Sequence, residues 1–517
     1  MKRINKWLVS LLAVVLVSCT DDFQEINQDE RFPTVVDPAY ILSGIQIDAM
    51  ERYVYTSDLF NNQTGGIVQY FVKHLYTNEN VYNFRGSMFD AYWGRHYNAL
   101  ARIREAAEMV ETPPYHLTDE GTKINQKAIF EILEVWTWTQ ITDQFGDVPY
   151  TDALTGLDGL QPSYTPQSEI YPDLINRLSN AMADINGSGS NGSFGDSDLF
   201  LNGDASAWAR FANSLKLRLG MRIIDANPTL GGSTVSEALD DPLISSYEES
   251  VQFSFGKTTN RSPLRRTNDG GSAGWEDVVA CKTFTDIVND RNDPRRSSML
   301  YDWSYEPYSG YPVTDVAYPN LESTEGGGRW GWAYLGWNFR SYDRDESDGV
   351  WPHNVMDFAE VSFLLAEAVE RGFASPVGQT AEEHYIDGVT SSMRYHTYYG
   401  DGWQTITDVD IAAYLAQPNV AYSNAASGTT WQEKIGIQKY IAFYPYGSEA
   451  FSEQRRLDFP VLTPPTKGGV QMPASEIPTR LPYPNNEVLL NSDNTAVAID
   501  RIGGENSMTV KVWWDVN

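Results

Sequence analysis

The chain has 517 residues, 41% hydrophobic and 13% aromatic, and a formal net charge of −31. That composition belongs to a folded protein rather than a disordered acidic one, and so acidic a surface repels a phosphate backbone, which excludes nucleic acid as a partner. The length exceeds the roughly 250–300 residues that one ordinary core supports, so the sequence predicts either several domains or an extended helical array.

Met1–Lys6 carries Lys2, Arg3 and Lys6 and no acid, and Trp7–Ser18 is almost wholly apolar. This is the pattern of a secretory signal, 1–18, too short to be a good spanning helix, which needs roughly 20 apolar residues. It ends Leu16-Val17-Ser18-Cys19, which resembles the bacterial lipobox, whose cysteine is acylated and becomes the first mature residue. One acyl chain holds a membrane weakly, and two or three on Cys19 would hold firmly. Cleavage removes three positive charges and no negative one, taking the net charge from −31 to −34. Thr20-Asp21-Asp22-Phe23 resembles the surface-export signal of Bacteroidetes lipoproteins, and reads equally as a solvated tether over 19–37. With Cys19 lipidated, Cys281 is the one cysteine left. No internal disulfide can form, and Cys281 is expected to be a buried small hydrophobe.

Helical patterns follow, weak over Pro38–Tyr55 and Phe89–Val110. From about Asn125 to Asp143, Ala128, Ile132, Val135, Trp136 and Thr139 share one side, and Phe145-Gly146 stops the helix. Thr165-Pro166 predicts a threonine N-cap with proline in the first turn. The Gly/Ser stretch Asn186–Asp198 reads as a loop. Asp204 predicts the cap of a helix that buries Trp208, Phe211, Leu215, Leu219 and Ile223 and ends before Asn227-Pro228. A weaker helix is expected over Trp275–Asn289. Val355–Arg371 buries Phe358, Val361, Leu365 and Ala368 and ends at Gly372, and weaker patterns cover Ala381–Tyr395 and Trp431–Phe443. Several helices come in neighbouring pairs with alanines on the packing side, which suggests stacked helix–turn–helix units, although no clean 34-residue period is present.

Catalytic signatures are absent. The six histidines (His74, His96, His116, His353, His384, His396) form no i,i+4 pair and no zinc spacing. No Gly-x-Ser-x-Gly elbow occurs. Gly270–Gly274 and Gly326–Gly328 do not continue into a phosphate loop. Asp343–Gly349 misses the calcium-loop order, with Ser347 at the fifth place and Asp348 where glycine belongs. Among 69 acidic residues no pair stands out as a glycosidase dyad. The reading is a protein without cofactor, metal or catalytic group.

Asp290–His353 differs from the rest: it is rich in Gly, Pro, Tyr and Trp and has no helical period. A loop region of this length is usually functional. Trp303, Tyr305, Tyr308, Trp330, Trp332, Tyr334 and Trp337 lead the candidates for ligand contact, with Trp275 as a flank and Tyr76 and Tyr82 on an earlier aromatic loop. Aromatic planes stack on the C–H faces of sugars, and they serve peptides equally. Trp330 and Trp332 alternate, so in an extended segment both would face one side. The competing reading makes most of these rings the core of a half that lacks long helices.

Four segments resemble the SusD/RagB family of Bacteroidetes nutrient-binding lipoproteins: Asp22–Asn27; Gln140–Tyr150, which contains Gly146-Asp147-Val148-Pro149; Phe211–Arg218; and a C-terminal set of Gln438–Ala442, Arg455-Arg456 and Arg480–Pro484. The matches are ordered along nearly the whole mature chain. The resemblance implies a mostly α fold, with tetratricopeptide-like helix pairs scaffolding a large loop-rich, irregular half, as a single domain over 38–517. It implies an outer-membrane lipoprotein facing the cell exterior that captures a glycan and passes it to a SusC-like TonB-dependent transporter. Alternatives are a peptide-binding relative and a surface glycoside hydrolase. The resembling motifs themselves read as scaffold.

Overall fold

The structure, a computed structural model, describes residues 36–56, 64–73, 77–112, 119–256, 278–301, 334–335, 352–398, 405–423, 430–469 and 472–517. The chain is mostly helical, and local chemistry sets the helix boundaries. Helix α1 spans Pro38–Thr56, α2 Thr64–Ile67, α3 Gly86–Met109 and α4 Glu120–Phe145. The Asp119 carboxylate accepts the Thr122 N–H at 3.1 Å and so caps α4. Gly146, at φ +81°, ends α4 in a conformation that side chains disfavour, and its N–H returns to the Thr142 carbonyl. Next come α5 (Gln167–Gly187), α6 (Ala205–Ile223) and α7 (Pro228–Asp240). Asp204 caps α6 through the Ala207 N–H, 3.1 Å, as its sequence predicts.

Thr165 is not the cap of α5. The helix begins later, and the Thr165 hydroxyl lies 3.1 Å from the Thr151 hydroxyl. The Asp147 carboxylate takes over, accepting the Gln167 N–H at 2.8 Å. A carboxylate from another turn is the better acceptor at the positive end of a helix.

The helix expected over Trp275–Asn289 divides. Val278–Ala280 is strand β3, paired with β1 (Phe71–Lys73), and α8 covers Lys282–Asp290. β-Branched Val278 and Val279 gain a strand partner there, which outweighs a weak helical period. Cys281 closes the strand, fully buried as expected. Beyond it lie α9 (Arg296–Met299), α10 (Phe358–Glu370), α11 (Ala381–Tyr398), α12 (Asp408–Leu415), α13 (Trp431–Ala442), α14 (Gly447–Leu457), α15 (Asn485–Leu490) and α16 (Ser492–Arg501). Gly372 follows α10 at φ +91°.

Helices α3 to α7 pack each on the next, the arrangement of tetratricopeptide-like pairs. A Cβ on Gly231 would sit 2.6 Å from the Ile224 Cα, so glycine is what lets α7 lie this close to α6. Helix α10 packs on α6, α11 and α13, and α14 packs on α13, α4 and α2. Two apolar clusters meet at α10: Val361, Leu364, Leu365 and Ala368 belong to one, and Ala359, Phe363 and Ala366 to the other. A helix apolar on both faces sits between cores rather than at a surface.

Candidate functional site

Three antiparallel strand pairs flank the aromatic-rich parts of the sequence. Lys73 pairs with Val278, so the chain running on to 74–76 and the chain arriving from 275–277 meet at one end of the β1–β3 ladder. β2 (Val251–Phe253) pairs with β6 (His353–Met356), with Phe253 opposite His353. That register puts the chain leaving toward 257 beside the chain arriving from 351. β4 (Leu300–Tyr301) pairs with β5 (Tyr334–Leu335), Tyr301 opposite Tyr334, and β5 also contacts β3. The segments that carry Tyr76 and Trp275 are thus flanked by one ladder, and the 302–333 stretch by another that contacts it through β5 and β3. Trp275, Trp303, Tyr305, Tyr308, Trp330, Trp332, Trp337 and Tyr76 themselves lie outside the described residues, as does Cys19.

One helix secures both ends of the 302–351 stretch. At its start, the fully buried Arg295 pairs with Asp293 at 2.6 Å and donates to the Ser392 hydroxyl of α11 at 2.8 Å. Burial opposes ionisation of Asp293, but the adjacent guanidinium outweighs it and holds the carboxyl below its usual range. Ser298 and His396 Nδ1 of α11 share a hydrogen bond of 2.7 Å. At its end, the Tyr395 hydroxyl of α11 donates to the Pro352 carbonyl at 2.7 Å, and Tyr446 lies 3.0 Å from His353 Nδ1. Burial pushes the His353 and His396 pKa values down to about 3. Both rings are neutral at physiological pH and act as hydrogen-bonding props rather than acid–base groups.

Tyr82 corrects one expectation. Its side chain is 1% exposed, packed near Phe84 with ring centroids 6.3 Å apart, and its hydroxyl accepts from Gln69 at 3.2 Å. A ring this enclosed in the described fold belongs to the core and presents no face to a ligand. The loop carrying it is drawn inward because the Asn80 side chain bonds both the backbone N–H and the carbonyl of Lys73, at 2.8 and 2.6 Å.

The resembling motifs meet inside the helical region, in a buried knot of charges. Arg218 of α6 grips Glu360 of α10 with two bonds, 2.6 and 2.7 Å. Arg222, one turn later, reaches Asp143 of α4 at 2.5 Å and Glu453 of α14 at 3.1 Å, and also bonds Glu449. Arg456 holds Glu367 at 2.5 Å and Glu453 at 2.7 Å, and Lys439 of α13 closes on Glu453. Burial works against a charge on Glu453, yet Arg456 and Lys439 overcome it and keep its carboxyl well below the usual range. Arg455 lies against the rings of Phe451 and Trp514, 3.9 and 4.6 Å from their centroids, and donates to the Asp143 carbonyl at 2.8 Å. The motif residues Asp143, Arg218, Lys439, Arg455 and Arg456 are thus scaffold, as read from the sequence. Periodicity misses the knot because most of its partners lie on different helices, up to 227 residues apart. The only hint in the sequence is an excess of charge on helices whose apolar stripes already claim the core.

Among the described residues, no group of three or more His, Cys, Asp or Glu could hold a metal ion, and no helix is long and apolar enough to cross a membrane.

A family model described as SusD-like, "Starch-binding associating with outer membrane", matches residues 30–484. No curated protein gives a significant match. Several solved structures share the fold. A chitin-binding protein is 25% identical, with TM-score 0.76, over 93% of this chain and 100% of its own. A chitin-binding SusD homolog from Flavobacterium johnsoniae is 24% identical, with TM-score 0.72, over 93% and 98%. A SusD-like protein from Bacteroides thetaiotaomicron is 20% identical, with TM-score 0.72, over 92% and 99%.

Proposed function

This chain belongs to the SusD-like (SusD/RagB) family, and from that premise we propose that it is a glycan-capturing lipoprotein of the outer-membrane surface. The family match over 30–484, whose description names starch binding and the outer membrane, is the observation that carries the reading. The name of the chitin-binding structural relative supports a saccharide as ligand. The contact between the β1–β3 and β4–β5 ladders supports a site built from the segments they flank, led by Trp303, Trp330, Trp332 and Trp337 with Trp275 beside them. Acylation of Cys19 supplies the anchor, and a SusC-like TonB-dependent transporter takes the captured glycan onward. Ligand leaves the protein unchanged.

Affinity electrophoresis against starch, chitin oligosaccharides and a wider glycan panel, with peptides run beside them, tests the reading. Retardation by a glycan that is recovered intact supports it. Retardation by peptides alone moves the protein to the peptide-binding alternative, and release of shorter sugars makes it a hydrolase. Cys19→Ala is expected to free the protein from membranes, and persistent membrane association refutes the anchor.

A further inference from the structure

Outside the β platform, a cavity of about 590 Å³ runs along one face of α3. Its lining residues Trp93, Tyr97, Ala101, Arg104 and Glu108 recur every three or four positions, a single stripe that runs about 22 Å along the helix at 1.5 Å per residue. Helices α1 and α4 take the other faces of α3. The opposite wall is the turn Pro149–Gly159. None of these residues belongs to the strands that flank the aromatic segments. We propose that this cleft is a second saccharide site, for neutral or amine-bearing oligosaccharides. It rests on the reading that the protein binds glycans but lies apart from the site assigned there.

Three observations meet in the cleft. Its size falls within the roughly 300–1,000 Å³ typical of small-ligand sites. Its polar and aromatic groups are fixed beforehand. Trp93, 7% exposed, backs the half-buried Tyr97 with ring centroids 5.1 Å apart, and the Tyr97 hydroxyl is held by the Pro149 carbonyl at 2.6 Å. The Arg104 guanidinium is oriented by Glu134 at 2.9 Å and by the Ala153 carbonyl at 3.1 Å. Such groups bind without first losing side-chain freedom. The wall is also held in an unfavourable backbone shape. Leu154, which has a bulky side chain, stands at φ +64°, and Gly156 follows at +70°. Non-glycine residues adopt that region where the surroundings over-determine them, and such positions cluster at ligand sites.

Charge narrows the ligand. Across Arg104 the cleft meets a second cavity of about 430 Å³. Together the two are lined by six carboxylates against the guanidinium groups of Arg104 and Arg177. Uronic or sulfated chains are repelled there, whereas hydroxyls and amines find acceptors. A peptide added as a strand would need a free sheet edge, and one bound as a helix an apolar groove, whereas the walls here are a helix face and a tight turn.

The test is calorimetric titration of the full chain with chitin hexaose, its deacetylated amine form and a polygalacturonate oligomer. Ala101 is exposed, so Ala101→Trp fills the cleft without entering the core, and unchanged circular dichroism and melting temperature confirm that it folds. The unaltered protein is expected to take up two neutral chains. Ala101→Trp is expected to weaken one of the two by about tenfold or more, while Trp330→Ala/Trp332→Ala keeps that one and loses the other. Unaltered stoichiometry in Ala101→Trp overturns the proposal. So does complete loss of binding in the double variant, or stronger binding of polygalacturonate in the cleft. Failure of the double variant to weaken either site counts against the aromatic segment alone and leaves the cleft standing.

Discussion

The helical region and the strand platform solve the same problem, holding distant chain segments together, with different chemistry. In the helical region Arg218, Arg222, Lys439 and Arg456 are buried and each meets a carboxylate from another helix. At the platform many of the ties are neutral, a tyrosine hydroxyl on a carbonyl, two uncharged histidines and three short ladders, beside the charged pairs Asp293–Arg295 and Lys73–Glu79. A buried ion pair is costly to lose on one side only, because the orphaned partner keeps its desolvation penalty. A neutral bond can be given up for about 1 kcal/mol. The knot therefore admits little change, whereas the ties that flank the aromatic segments can each be given up at small cost.

The sharpest way to break this contrast is at the knot. Arg222→Ala leaves Asp143, Glu449 and Glu453 facing one another without their shared cation. It is expected to cost about 3–5 kcal/mol of stability, read as a fall in the urea midpoint by circular dichroism, with no specific effect on glycan affinity in the fraction that stays folded. A loss below about 1 kcal/mol would show that the knot is not what holds the helices.

The aromatic segment should behave the opposite way. Trp330→Ala/Trp332→Ala is expected to abolish detectable binding at that site while the melting temperature stays nearly constant. The scale is set loosely by base–aromatic stacking, about 1–3 kcal/mol per ring. Unfolding of the double variant would place these rings in the core.

The platform also carries a pH signature. His353 has a folded pKa of about 3, against about 6.5 in an unfolded chain. Because the folded state refuses a proton that the unfolded state takes, this contribution is complete above about pH 6.5 and is lost as pH falls toward 3. His353→Gln removes it. Between pH 7 and pH 5 the variant should lose about 2 kcal/mol less than the parent. Parallel urea midpoints across that range would mean that His353 is not buried as described.

The division between the two regions also explains what the sequence shows beforehand. Helices α4, α6 and α10 were readable because burial on one face leaves a period of three and four, and because Asp204 and Gly372 mark ends by local chemistry. The cap of α5 was misplaced because Asp147, its true acceptor, comes from a turn eighteen residues before Thr165. Tyr82 was misread because its burial depends on Asn80 folding the loop back on Lys73, a contact that no spacing encodes. The α11 clamp was invisible for the same reason: Ser392, Tyr395 and His396 look like ordinary helix residues until Arg295, Pro352 and Ser298 are placed beside them.

The smallest expected effect concerns that clamp and is the most specific to it. Tyr395→Phe keeps the ring and deletes one hydroxyl, the donor to the Pro352 carbonyl at 2.7 Å. The residue is 2% exposed, so the freed carbonyl has little access to water. The stability loss should be about 1 kcal/mol, the net worth of one buried neutral hydrogen bond. Phenylalanine fills the same volume, so packing adds little. Stability is still the wrong measure to judge it by, because a purely structural bond would give the same figure. If α11 sets the position of the 302–351 segment, glycan affinity must fall as well, and more than in Ser362→Ala, which removes a buried hydroxyl bonded at 2.7 Å within its own helix, α10. Equal affinity in the two variants, at matched loss of stability, would make Tyr395 a packing residue and leave Ser392 and His396 to position the segment from its other end.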